Sequence, residues 1–237
     1  MERRVLVLDC DGVIFNVVKL MKDIVAKINY VCSDDFKIKI IDRAFEQGET
    51  ELYNKYNAIH KITKDNVLEE TNDIYENKID YDEIYTIKNA FPHVIEMINI
   101  IWESGLFDKI YIASHVNSER EVQAKKKFFA EYLPMVDVRC YYFNDQPYIH
   151  DKEKYFENAF RKRSNKPRHF FKDTHEKPEH CYFIDDSSTI CEEARCEGAE
   201  AIHRNPDEED PLIVFREMLE SLYSNNNKIK ILKSEWN

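Results

Sequence analysis

The stretch Val5-Leu6-Val7-Leu8-Asp9-Cys10-Asp11-Gly12-Val13-Ile14-Phe15 drives an apolar run directly into two carboxylates. Arg4 to Leu8 reads as a strand ending at Asp9. Successive apolar positions, rather than alternating ones, suit a strand covered on both faces. Ending such a strand in paired acids is unfavourable unless something compensates. At about 4 Å and an effective dielectric near 20, two carboxylates repel by roughly 4 kcal/mol. A divalent cation would reverse that sign and hold both ionised. Gly12 can take positive φ and turn the chain away from the strand end. Taken alone, an ordinary Asp-x-Asp-Gly turn accounts for the segment as well as a functional site does.

Working outward, further runs repeat the pattern. Lys109 to Ala113 ends at Ser114, Val138 to Phe143 at Asn144, and Cys181 to Ile184 at Asp185, with Asp186 and Ser187 following. A fifth run spans Ala199 to His203. Amphipathic segments lie between them. Phe91 to Ser104 has a proline at its second position and stops at Gly105. Ser118 to Tyr132 opens with a capping-box pattern, serine then glutamate three residues on. Asp151 to Arg163 and Ser187 to Glu197 also read as helices. The alternation predicts an α/β, Rossmann-like parallel sheet with helices on both faces. In such a sheet the carboxyl ends of the strands share one edge, where ligands bind. Asp9, Asp11, Ser114, Asp185 and Asp186 are therefore expected at one crevice. That set of hard oxygen donors suits Mg²⁺.

Residues 16–89 break the rhythm. They carry helical periodicity (Val17, Leu20, Met21, Ile24, Val25, Ile28) and no convincing buried strand. They read as an all-helical insertion after the first strand, dividing the chain into a core of 1–15 and 90–237 and a cap of 16–89. Its tyrosines (Tyr53, Tyr56, Tyr75, Tyr81 and Tyr85) are expected to be packing residues.

These motifs together resemble the haloacid dehalogenase superfamily. Asp9-Cys10-Asp11-Gly12 matches its first motif, Ser114 its second, and Asp185-Asp186-Ser187 its fourth. The insertion matches the position of that family's cap domain. The resemblance covers residues 1–15 and about 90–205. It implies an Mg²⁺-dependent phosphatase in which Asp9 is a covalent nucleophile and Asp11 a general acid and base. It also implies that Ser114 hydrogen-bonds a phosphoryl oxygen. Asp9, the Asp11 backbone carbonyl and Asp186 would hold the metal, with Asp185 binding directly or through water. The family's dehalogenases generally lack an acid at the second position, so Asp11 favours phosphoryl transfer. The third motif is a lysine at the start of the helix before the fourth strand. Lys152 fits best, because apolar residues follow it three and four positions on; Lys154 and Lys172 are rivals.

The remaining features bound the partners. The net charge is -11, with 43% hydrophobic and 33% charged residues. The net acidity argues against nucleic acid and anionic membrane as partners. The basic run from Lys152 through Arg161, Lys162, Arg163, Lys166, Arg168 and Lys172 to Lys177 reads as a solvated face. The six cysteines show no C-x-x-C pair or zinc-knuckle spacing, which suits a reducing, cytoplasmic setting. Two aspartates interrupt the N-terminal apolar run and no small-residue cleavage site follows, so no targeting or membrane segment is expected. A small phosphorylated substrate is the expected ligand. A phosphomutase or phosphotransferase, a nucleotide or nucleic-acid end phosphatase, and a non-catalytic binding protein are the alternatives.

Overall fold

In β1 (Val5–Leu8), all four residues are buried, and they face two different cores. Leu6 and Leu8 point into one hydrophobic cluster, Val5 and Val7 into another on the opposite face. The period-2 geometry of a strand makes this division, and it explains why the run is apolar at every position. This computed structural model describes residues 3–16, 79–116, 118–142 and 166–205, together with Asn77 and positions 212, 213, 215, 216, 218 and 219.

The described elements follow in chain order as α1 (Tyr81–Ile84), α2 (Val94–Glu103), β2 (Lys109–Val116), α3 (Glu119–Tyr132) and β3 (Asp137–Tyr142). Then come α4 (Lys166–Thr174), β4 (Cys181–Asp185), α5 (Ser188–Cys196) and β5 (Glu200–His203). The strands form one parallel sheet in the order β3-β2-β1-β4-β5. The chain builds outward from β1 in one direction and then in the other, so the switch point lies at the carboxyl end of the central strand. Register is fixed there: Leu8 lies opposite both Ile112 and Ile184. The Asp9 amide continues the ladder, donating to the Ile184 carbonyl at 2.9 Å.

Helices cover both faces, as the sequence predicts. Met97, Ile98 and Ile101 of α2 and Phe128 and Phe129 of α3 pack on the face carrying Leu6, Leu8, Ile110 and Ile112. Phe170 of α4 and Ala194 of α5 pack on the face carrying Val7, Tyr111 and Phe183. The Ser118 hydroxyl caps α3 by accepting from the Glu121 amide at 3.1 Å. The α4 helix falls in a stretch where no helix was expected, and two boundaries differ from expectation by more than one residue. The α2 helix begins at Val94 rather than Phe91, because the Phe91 amide donates to the Ile14 carbonyl at 2.8 Å and ties that residue to the loop after β1. The β2 strand runs on to Val116 rather than ending at Ala113, because it stays paired with β3 as far as Val116 and Tyr142. Ser114 and His115 therefore lie inside a strand.

Phe15 sits where the long insertion begins. Its ring meets Tyr85, Phe128 and Phe129 edge-on, with centroids 5.1, 4.9 and 6.4 Å away. It also forms a bridge with Ala90, and Asn16 donates to the Asn89 carbonyl at 3.3 Å. The chain thus leaves the core beside the point where it returns. Ile79, Tyr81, Ile84 and Tyr85, at the end of the insertion, belong to the same buried cluster as Phe15. The expected helices of residues 17–76, the helix at 151–163 and the polar tail from Ser224 lie outside the described residues. Among the described residues, no helix is long and apolar enough to cross a membrane.

Candidate active site

Three of the expected acids meet at the switch point. Ligand oxygens of Asp9, Asp185 and Asp186 all lie within 4.8 Å of one another. Asp9 closes β1 and Asp185 closes β4, two adjacent parallel strands, so their juxtaposition follows directly from the sheet register. Asp186 is brought in by the turn into α5. His203 at the end of β5 lies against its backbone, with Nε2 2.9 Å from the Asp186 carbonyl oxygen.

Gly12 makes the close approach possible. It has φ +79°, and a Cβ at that position would lie 2.4 Å from Asp186 Oδ2. Only glycine both tolerates this conformation and leaves room for the carboxylate. The D-x-D-G pattern therefore has a physical requirement for its last member.

A lysine crosses the cluster. Lys166, the first residue of α4, is 1% exposed. Its Nζ donates to Asp9 Oδ1 at 2.7 Å and to Asp185 Oδ2 at 2.5 Å. Burial by itself would lower the Lys166 pKa, but the Asp185 and Asp9 charges outweigh it and raise it, keeping the ammonium charged. Asp185 shows the other side of the balance. Burial, with the Asp9 charge adding to it, pushes its carboxyl up to about 6 despite the opposing pull of Lys166. Asp185 Oδ1 meanwhile accepts from the Ser187 amide at 2.9 Å. Asp9 and Asp185 thus share the Lys166 ammonium, with the Asp186 carboxylate beside them. Three carboxylates converging within 4.8 Å are hard oxygen donors that fit Mg²⁺.

Lys166 corrects the expectation that it belongs to a solvated basic face. It occupies the start of the helix before β4, the position at which the resemblance requires a lysine. Lys152 and Lys154 lie outside the described residues. Lys172, the other rival, is exposed in the last turn of α4. The signal for Lys166 was available: Pro167 marks a first helical turn, and Phe170 follows four residues on. The apolar residue four positions on is one of the two features that favoured Lys152; the other, an apolar residue three positions on, is replaced here by His169.

Asp11 and Ser114 form a second half of the site, on the β2 side of β1. Ser114 shares its strand face with Ile110 and Ile112 and is fully buried. Its hydroxyl donates to the His115 carbonyl at 3.1 Å. The Asp11 carboxylate stands apart from the three-acid cluster; its Oδ2 accepts from Lys125 at 2.7 Å. Lys125 also donates to Ser114 Oγ at 2.8 Å and pairs with Glu121 Oε1 at 2.9 Å. Tyr85, expected only to pack, directs its hydroxyl to Glu121 Oε1 at 2.9 Å and to Asp11 Oδ1 at 3.3 Å. Burial raises the Asp11 carboxyl above its usual range, with Lys125 opposing and the Glu121 and Asp9 charges adding. Lys125, Glu121 and Tyr85 are site residues that the sequence motifs did not single out. Cys10, between the two aspartates, is completely buried, and burial raises its thiol pKa well above the ordinary value.

No protein-family model matches the chain, and no curated protein matches it. Solved structures do. The chain is similar to a haloacid dehalogenase-like hydrolase from Streptococcus pneumoniae at 14% identity and a TM-score of 0.49, over 91% of this chain and 98% of that one. A haloacid dehalogenase-superfamily hydrolase, subfamily IA, from Geobacter sulfurreducens matches at 12% identity and a TM-score of 0.47, over 85% and 86% of the two chains. A haloacid dehalogenase family enzyme from Bacteroides thetaiotaomicron, solved with magnesium and inorganic phosphate, matches at 15% identity and a TM-score of 0.40, over 88% and 97%.

Proposed function

We propose that this chain is a hydrolase of the haloacid dehalogenase superfamily, acting as an Mg²⁺-dependent phosphatase on a small phosphomonoester. The observation that carries the reading is the grouping of Asp9, Asp185 and Asp186 within 4.8 Å, with Lys166 donating to Asp9 at 2.7 Å. A carboxylate at the end of a central strand, held by a fixed cation, is an oriented nucleophile.

The chemistry divides into two transfers. Asp9 Oδ2, the oxygen not held by Lys166, attacks phosphorus; the phosphorus–oxygen bond to the leaving group breaks, and that oxygen takes a proton from Asp11. Asp11, now a carboxylate, then accepts a proton from water as the water oxygen attacks the aspartyl phosphate. The bond from Asp9 to phosphorus breaks and inorganic phosphate leaves. Lys166 holds Asp9 in place and contributes positive charge beside the transferring group. Ser114 would turn its hydroxyl from the His115 carbonyl, to which it donates at 3.1 Å, toward a phosphoryl oxygen. Asp9 and Asp186, with Asp185 directly or through water, would hold Mg²⁺, which when bound shields charge on the transferring group. The insertion at 16–89 would serve as the cap that excludes bulk water and selects a small substrate.

The test is release of phosphate from an aryl phosphate with and without Mg²⁺. Turnover should require the metal and vanish in Asp9→Asn. An undiminished rate in that variant would overturn the nucleophile assignment.

A further inference from the structure

Two buried lysines flank β1, and only one of them belongs to the motif set. Lys166 links Asp9 to Asp185 on the β4 side. Lys125 links Asp11 to Ser114 on the β2 side, and its side chain is 0% exposed. A second structural lysine buried this deeply needs a reason, because removing an ammonium from water is costly unless its hydrogen bonds are all replaced. Here they are. Nζ faces Asp11 Oδ2 at 2.7 Å, Ser114 Oγ at 2.8 Å, Glu121 Oε1 at 2.9 Å and the His115 carbonyl at 3.2 Å. It also lies 5.0 Å from the centre of the Tyr85 ring.

The local sequence arranges this. Glu121 and Lys125 are four apart on α3 and project from one face. The same face carries Phe128 and Phe129 into the core, so the ion pair is carried inward with them. Glu121 is in turn held by the Tyr85 hydroxyl. Lys125 is therefore anchored from behind and presents its remaining donors to the reacting side of the site.

We propose that Lys125 is a positioning residue for the Asp11 carboxyl. The inference rests on the phosphatase reading above, in which Asp11 protonates the leaving oxygen. Lys125 occupies Oδ2 at 2.7 Å and fixes the plane of the carboxyl, so that Oδ1, with only the longer 3.3 Å contact from the Tyr85 hydroxyl, is the oxygen that turns to the leaving group. Glu121 and Tyr85 hold Lys125 at the correct height. The arrangement orients the general acid without spending Lys166, which is committed to the nucleophile.

Leaving-group dependence tests this. An acid matters little to para-nitrophenolate, which departs as a stable anion, and matters greatly to benzyl alkoxide. kcat/KM reports the steps up to departure of that group, so it isolates the acid role of Asp11 from its later role toward water. Lys125→Met should lower kcat/KM for benzyl phosphate at least about tenfold more than for para-nitrophenyl phosphate, within the range general acid catalysis supplies. Lys125→Arg should recover part of that difference. Equal losses on the two substrates would overturn the proposal, since a lysine that only supports the fold does not distinguish leaving groups. Lys125→Met leaves Glu121 buried without its partner, so Glu121→Met combined with Lys125→Met is the second variant; buried pairs replaced by apolar residues of similar volume usually fold. The same selectivity is expected there. If neither variant folds, Lys125 acts on the fold and the proposal falls. Failure of the underlying reading looks different: para-nitrophenyl phosphate turnover by the parent enzyme would then be absent or indifferent to Asp9→Asn.

Discussion

Adding one methyl group at position 12 probes the acid cluster with the smallest perturbation available. In Gly12→Ala the new Cβ would lie 2.4 Å from Asp186 Oδ2, 2.5 Å from its Cγ and 2.7 Å from its Cβ. A relaxed non-bonded contact needs about 3.5 Å, so Asp186 or the loop must retreat by about 1 Å. The backbone adds a separate term, because φ +79° is left-handed and costs an L-residue about 1–2 kcal/mol. At roughly 2–4 °C per kcal/mol for a chain of this size, that strain alone lowers Tm of the metal-free protein by roughly 2–8 °C. The displacement acts on the metal. Mg²⁺ demands oxygen ligands at about 2.0–2.1 Å in near-octahedral array and cannot follow a ligand that has moved by half that distance. Affinity should fall at least about tenfold, the smallest loss usual when a ligand is misaligned. Thermal unfolding with and without Mg²⁺, beside calorimetric titration of each protein, separates the two effects. The stabilisation conferred by Mg²⁺ should shrink in the variant by more than its metal-free Tm accounts for. A variant that binds Mg²⁺ as tightly as the parent would refute the placement of Asp186 as a ligand.

Two further outcomes follow from the charges. Lys166→Met should lower phosphatase turnover at least about a hundredfold, comparable to losing one donor to a reacting oxygen, whereas Lys172→Met, at the exposed end of the same helix, should leave it unchanged; a folded Lys166→Met enzyme with parental turnover would reject the lysine assignment. At the base of the β2–β3 pair, burial alone would raise the Asp137 carboxyl, but Arg139 at 2.9 Å and Lys109 at 3.0 Å lower it. A lowered folded-state value means stability that is present above the unfolded carboxyl value near 4 and is lost as pH falls through the folded value. Asp137→Asn should therefore remove about 0.5–1 kcal/mol of stability at pH 7, the range of a partly exposed pair, and make no difference at the acid end; denaturant titrations at both pH values measure it, and an equal loss at both would contradict the electrostatic account.

The parallel sheet was legible because strands buried on both faces leave an unbroken apolar run that few other structures produce. Asp9, Asp185 and Asp186 were legible because topology alone brings strand ends to one edge. The lysines were harder for a physical reason. A buried charged side chain looks in sequence like a solvated one, and only its place on an apolar stripe betrays it. Lys125 falls in the run Lys125-Lys126-Lys127, where the charge hides which member faces inward; the spacing of Glu121, Lys125 and Phe128 resolves it once the helix is known. Tyr85 was hidden differently. Its distance from Asp11 along the chain is spanned by the insertion, and nothing local marks it as a neighbour of the acid. The length of β2 was missed because it depends on pairing with β3, a long-range property.

The bridge between Phe15 and Ala90 has a consequence for how such a fold can change. The two crossings of the chain are stitched to each other within the core, so the sheet supplies a socket whose mouth is already closed. The entropy of holding any graft in that socket grows only with the logarithm of its length, by about 0.6 kcal/mol per doubling. Seventy-odd residues or half that number burden the sheet almost equally, so the segment proposed to select the ligand could be exchanged while the strand ends proposed to perform the chemistry stay as they are.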